Sequence, residues 1–457
     1  MDSVLDSDWV SQEMDKLDLP DKRLKKRTIK IITDFSQNPT ASIPEFCGEW
    51  AATQATYHYC DNQAVSREAI VAAHRQATLS RIEAGAYLRI LAVQDTTEYN
   101  FSTHPATAGL GPLDNPKVTG FFVHSTLAVT ETGLPLGLLA QALWVRSADD
   151  PPKDKHRPIE QKESFKWLQG MEHSSRHLPQ TVQVVQVSDQ ESDIFEYFVQ
   201  PRPEQVELLV RSYHQRKVVD ETKDVRSILR TSPVRGKVQV EVKRTPDHPA
   251  RTAVCQVSYQ RVKIRPPKKR PGLPTDLKAV TLSAVLIQET NPPPGVEPLE
   301  WLLLTTLAVT NFDQACQVIE YYTLRWLIER LHFVLKSGCA LEGRQLRTVD
   351  RLQRFLALAN VVAWRLLWLT YLGRAQPDLP CTVAFTDYEW KALYAYTHKM
   401  ALVPNDPPTL QQATLWLAQL GGFLGRKSDG EPGVKVLWRG WRRLVDIAQT
   451  WLIFNTS

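Results

Sequence analysis

The rhythm of hydrophobic and polar positions changes twice along the chain. Up to about residue 85 it is helical. In DLPDKRLKKRTIKIITDF, Ile29, Ile31, Ile32 and Phe35 share one side, while Lys22, Arg23, Lys25, Lys26, Arg27 and Lys30 gather near the start. SREAIVAAHRQATLSRI opens with Ser66 as a helix cap. Ala69 stands where a full capping box has Glu, so half of that cap is expected. From residue 86 the pattern becomes strand-like. YLRILAVQDTTEYNF reads as a strand ending at Asp95, and GFFVHSTLAVT and LPLGLLAQALWV follow around the turn ETG. IEQKESFKWLQGMEHSS reads as a helix, and TVQVVQVSDQESDIFEYF as a strand ending at Asp189 with a short helix after it. Strand, strand, strand, helix, strand, helix predicts a mixed sheet with helices packed on it. From about 205 to 310, five further β-like runs alternate with Pro-rich breaks, one of them the basic loop RPPKKRPGLP, expected to be exposed and mobile. Beyond 311 the rhythm is helical again.

Composition narrows the class. The chain has 457 residues, 43% hydrophobic and 23% charged, which suits a soluble globular protein of two or three domains. A net charge of +5 predicts local basic patches rather than a uniformly basic surface. Six scattered cysteines without a CxxC pair argue against a zinc module or disulfide scaffold and for a reducing compartment. The acidic start MDSVLDSDWV lacks the apolar stretch of a signal peptide. The most apolar run, FLALANVVAWRLLWLTYLG, contains Arg365 and reads as a buried helix rather than a membrane span. A cytoplasmic protein is expected.

The chemistry gathers around three carboxylates. Asp95 and Asp189 are placed at strand ends, the edge where open α/β sheets bind ligands. Glu329 lies in YYTLRWLIERLHFVLKSG. At about 100° per residue, Tyr322, Arg325, Glu329 and Lys336 fall within roughly 60° of arc on that helix, opposite a Leu/Ile/Val face. Trp326 and Phe333 lie on the polar side too. An exposed i,i+4 salt bridge between Arg325 and Glu329 explains the charges but not the aromatics among them. A phosphate-binding face bearing a metal ligand explains both. A glycosidase-like carboxylate pair would account for Asp95 and Asp189, but gives no reason for Arg325 or Lys336.

The spacing Tyr322, Arg325, Glu329, Lys336 resembles the Y-(2)-R-(3)-E-(6)-K signature of the cut-and-paste bacterial insertion-sequence DDE transposases, most closely the transposon-five type. VQDTTEYNF and VSDQESDIFEY resemble that family's two aspartate motifs, and EPLEWLLLTT the strand before its catalytic helix. SIPEFCGEWAATQATYHYCDN resembles its DNA-binding region, and PPTLQQATLWLAQLGGFLGRKSDGEPG its dimerisation region. The resemblance implies an α/β, ribonuclease H-like mixed-sheet core over 86–374 with a β-rich insertion at about 205–310. A helical DNA-end-binding domain over 1–85 and a helical dimerisation domain over 375–457 would flank it.

It further implies a metal-dependent transposase. Asp95, Asp189 and Glu329 would hold two Mg²⁺ or Mn²⁺ ions, with Asp95 on both. The reaction would run through a 3′ nick, hairpin formation, hairpin opening and strand transfer into target DNA. Tyr322, Arg325 and Lys336 would hold the DNA backbone, Trp301 would stack on a flipped base, and Arg211 would contact DNA from the insertion. Arg23, Lys26, Arg27, Lys30, Tyr57 and His58 are candidates for end recognition. The partners implied are inverted-repeat ends, target DNA and a second subunit, paired through Trp416, Leu417, Leu420, Phe423 and Leu424. The location implied is the bacterial cytoplasm and nucleoid. The alternative is a transposase-derived DNA-binding protein that has lost catalysis.

Overall fold

A computed structural model of the chain describes residues 8–147, 157–242, 249–268, 276–426 and 429–455. Five helices come first: α1 (Asp8–Glu13), α2 (Lys22–Gln37), α3 (Ile43–Cys47), α4 (Trp50–Asp61) and α5 (Arg67–Ala84). Their caps are local. Asp21 accepts the Arg23 N–H at 2.8 Å, and Ser42 and Glu45 form a reciprocal box on α3. Ser66 accepts the Ala69 N–H at 3.1 Å, the half-cap its sequence allows.

The sheet follows: β1 (Arg89–Asn100), β2 (Gly111–Pro112), β3 (Thr119–Thr130), β4 (Pro135–Trp144), helix α6 (Phe165–Ser175), β5 (Gln183–Ser188), helix α7 (Phe195–Val199) and β6 (Val206–Arg211). Then come helix α8 (Val225–Thr231), β7 (Gly236–Val242), β8 (Arg251–Ile264), β9 (Val280–Glu289) and β10 (Glu300–Thr305). Among the described residues these ten strands form one sheet. The order β4-β3-β1-β5-β6, with antiparallel pairing up to β1 and parallel pairing through β5 and β6, is a ribonuclease H-like arrangement. The β-rich segment is no separate lobe. Its first strand, β6, completes that five-strand order, and β10, β9, β8 and β7 continue the same sheet beyond it. Part of the basic loop RPPKKRPGLP lies outside the described residues.

Strand β1 does not end at Asp95. It loses β5 after Val93, but stays paired with β3 as far as Asn100. Alternate residues serve opposite faces. Leu91, Val93, Val185 and Val187 face one hydrophobic core, and Ile90, Ala92 and Val184 the other.

The helical remainder comprises α9 (Phe312–Thr323), α10 (Trp326–Phe333), α11 (Val349–Ala375), α12 (Asp387–His398), α13 (Leu410–Leu420) and α14 (Val434–Asn455). The run expected as one helix is therefore two. The Leu324 N–H is shared between the carbonyls of Glu320 and Tyr321, and the Arg325 N–H bonds the Tyr322 carbonyl, which tightens the turn between α9 and α10. A π turn over Val334–Gly338 then widens the end, with Cys339 N–H bonded to the Val334 carbonyl at 2.7 Å. Helix α11 is long and apolar enough to cross a membrane, yet 83% of its apolar window is buried in protein. Leu417 and Leu420, expected on a subunit-pairing face, are buried within the chain itself, because α13 packs against α12 and α14.

Candidate active site

Parallel pairing of β1 with β5 aligns Val93 with Val187. Two residues further along each strand stand Asp95 and Asp189, on the same face as those valines. Asp189 closes β5 and caps the next turn, accepting the Glu191 N–H at 2.9 Å. Ile328 and Leu331 anchor α10 in the core on that face, which directs Glu329, half-buried, toward the aspartates. The three carboxylates thus come from two neighbouring strands and one helix.

Their electrostatics are unequal. Burial and the neighbouring Asp95 push Asp189 up to about 6. Burial also raises Glu329, against the pull of Arg325. At Asp95 burial acts upward too, but it is outweighed by His332, Arg325 and the Thr96 N–H, which leave this carboxyl below its ordinary range. The His332 Nδ1 lies 3.6 Å from Asp95 Oδ2, longer than an ordinary hydrogen bond. His332 is only 5% exposed, and its Nε2 is buried with no hydrogen-bond partner among the described residues. Sequence reasoning missed this residue, although its offset of three from Glu329 puts it one turn along the same helix face.

The signature residues surround this point. The Arg325 guanidinium is bonded to Glu329 and lies 6.0 Å from the Tyr322 ring centroid. Tyr322 is not on an exposed face. It is 5% exposed and meets Trp301 edge-on at 5.0 Å. Trp301 is half-buried near the start of β10. Arg211, at the end of β6, sits across from Leu303 and acts on the Tyr322 hydroxyl. Lys336 sits on the π turn, 4.0 Å from Glu342 and 5.5 Å from the Tyr99 ring centroid. Beside Arg211 opens a groove of about 380 Å³, lined also by Tyr213, Arg226, Arg230 and Glu300. Buried Asp193 shapes the loop there, accepting the N–H groups of Tyr213 and His214 at 2.8 Å each.

The expected end-recognition residues are a separate set on α2 and α4. Arg23, Lys26, Lys30 and His58 are exposed, and Arg27 and Tyr57 half-buried. Arg23 pairs with Asp21 at 2.8 Å and Lys30 with Asp34 at 3.0 Å.

Asp95, Asp189 and Glu329 offer only oxygen donors, which suit hard divalent cations. The raised Asp189 marks surplus negative charge that such a cation would relieve. Among the described residues no three His, Cys, Asp or Glu side chains close on a single point.

Three family models match the chain. The Transposase DNA-binding model matches residues 6–65, the Transposase DDE domain model residues 146–365, and the Transposase Tn5 dimerisation domain model residues 361–450. Asp189 and Glu329 fall inside the DDE match, and Asp95 lies ahead of it.

Proposed function

The chain belongs to the Tn5-like DDE transposases, and on that premise we propose that it cuts DNA at the ends of a mobile element and joins them to a target at the Asp95, Asp189 and Glu329 site. One observation carries the reading: adjacent parallel strands set Asp95 and Asp189 side by side, and α10 brings Glu329 to the same face. Mg²⁺ or Mn²⁺, two ions per site, held by Asp95 with Asp189 and by Asp95 with Glu329, would activate the attacking oxygen and stabilise the leaving one.

The protein's own groups position the DNA. Arg325, bonded to Glu329 in the free protein, would turn its fork to a backbone phosphate and release that carboxylate. Tyr322 and Trp301 form one aromatic corner, with Trp301 the more accessible face for a base swung out of the duplex. Lys336 and Arg211 would hold phosphates on either side. Water first breaks the 3′ phosphodiester at the element's end. The freed 3′-OH attacks the opposite strand, displacing flanking DNA and leaving a hairpin. A second water opens the hairpin, and the 3′-OH then joins target DNA. Two subunits, each holding an inverted-repeat end through α2 and α4, would act together.

The test is a supercoiled plasmid carrying paired ends, incubated with protein and Mg²⁺. Nicks, hairpins and excised element are expected. End binding without any nicking would favour the inactive DNA-binding alternative. Trp301→Ala is expected to leave nicking intact and slow hairpin formation. Equal loss of both steps would make Trp301 a packing residue.

A further inference from the structure

Helix α14 carries Lys435, Arg439 and Arg442 at i, i+4 and i+7, so the three share one face. All three are exposed. They line a groove of about 580 Å³ that is closed on the other sides by Pro39, Ser337 and Gly421. The groove thus borders the N-terminal helices, the end of the catalytic helix and the C-terminal helices at once. No carboxylate lines it among the described residues. Among the described residues only Arg442 of the three has an acidic partner, Glu45 at 3.4 Å, and both side chains of that pair are more than half exposed. Arg443, beside them, is held by the Leu420 carbonyl at 2.7 Å and points its other nitrogen to the Tyr396 hydroxyl at 3.2 Å. The first turn of α14 contains no acid, so the positive end of the helix adds to the field.

The stripe is fixed in place. A Cβ on Gly421 would lie 1.8 Å from the Val436 carbonyl, and one on Gly440 1.9 Å from the Leu417 carbonyl, so α13 and α14 touch backbone to backbone. Trp438 packs on Phe333 with ring centroids 5.6 Å apart, and its ring lies where a Cβ on Gly338 would go. This seats α14 directly against the π turn that carries Lys336.

We propose that this stripe is a second track for the DNA backbone, binding phosphates of the duplex whose end lies at the carboxylate site. The inference rests on the proposed transposase reading. Its occupant follows from charge and continuity: a run of cations in a concave surface, next to a signature lysine, with no carboxylate in the groove to neutralise them. Here α14 would serve DNA binding as well as the packing of the C-terminal helices.

The triple variant Lys435→Ala/Arg439→Ala/Arg442→Ala of the full chain tests it, with the single Arg439→Glu as a second probe. All three positions are exposed, and an unchanged thermal melt would confirm that the fold persists. Binding is read by anisotropy with a labelled duplex carrying the element's inverted repeat, across a salt series. The triple variant is expected to bind about tenfold more weakly at physiological salt, with its log–log salt slope shallower by about 2 to 3, near 0.9 for each phosphate that is no longer neutralised. Arg439→Glu should weaken binding in the same direction. An unchanged slope and affinity would overturn the proposal while leaving the transposase reading intact. Normal end binding with slowed capture of target plasmid would also overturn it, since the groove would then hold target DNA. If the unaltered protein failed to bind the end duplex, the transposase reading itself would fall.

Discussion

Two carboxylate clusters in this molecule are built on opposite terms. In the first, Glu13 of α1 is 3% exposed and fully answered. Arg81 reaches one of its oxygens at 2.6 Å and the other at 3.1 Å, and the His74 Nδ1 bonds it as well. The Leu138 N–H donates to His74 Nε2 at 3.1 Å, so the ring proton sits on Nδ1, facing Glu13. Burial pushes Glu13 upward, but these partners overcome it and hold the carboxyl down at about 2. In the second cluster, Asp189 is pushed up to about 6 by burial and by Asp95, with the Glu191 N–H and distant Arg325 too little to offset them. The first is a latch tying α1 and α5 to β4. In the second, Arg325 answers Glu329 and His332 lies beside Asp95, but the charge of Asp189 is left largely uncompensated. Buried charge is paired when its purpose is structural, and an under-paired cluster marks a place that takes a cation.

The difference can be broken experimentally. Glu329→Ala removes a proposed metal ligand but no phosphate contact, so nicking is expected to fall on the order of 10³-fold or more while end binding persists. Retained nicking would make Glu329 only a partner for Arg325. Glu13→Gln should cost about 3 kcal/mol at neutral pH, because half-buried Arg81 loses its counter-charge. The Glu13 contribution is full above its ordinary 4.5 and is lost as pH falls toward about 2, so thermal melts of the variant and the unaltered protein should converge in acid. Asp189→Asn should do the reverse in metal-free buffer, stabilising by about 2 kcal/mol at neutral pH. The raised folded value means that stability is full below the ordinary 3.8 and lost as pH rises through about 6, so the gain should vanish in acid. Melts showing the same sign of pH dependence for both variants would erase the distinction between latch and site. The smallest effect is expected at His332. Replacing it by Leu should weaken Mn²⁺ binding by about tenfold, with Asn restoring part of it through its own N–H. Equal affinity in His332→Leu would show that the ring is packing only.

Much of the fold was legible because its signals are local. Apolar, β-like runs between turn signals marked each main strand, and the half-cap at Ser66 followed from Ala69 alone. The carboxylates were legible through spacing: Asp189 ends an apolar strand, and Glu329 shares a helix face with Arg325. What the sequence hid depends on distant partners. Nothing near Asp95 reveals that β3 carries β1 on to Asn100. Tyr322 falls on the polar arc by angle, but Trp301 covers it. Leu417 looks like an interface residue until α12 and α14 close over it. The latch joins residues 61 and 68 positions apart, and Arg344, buried among Phe35, Phe46 and Phe355, donates to the Pro39 and Ala41 carbonyls from far along the chain.

The central claim is that the under-paired carboxylates form a divalent-metal site. Titration of Mn²⁺ into the DNA-bound protein, followed by electron paramagnetic resonance, measures it without relying on turnover. The unaltered protein should bind Mn²⁺, and Asp189→Asn, equal in shape but uncharged, should lose that binding while still holding the DNA. Equal Mn²⁺ affinity in the two proteins would contradict the claim.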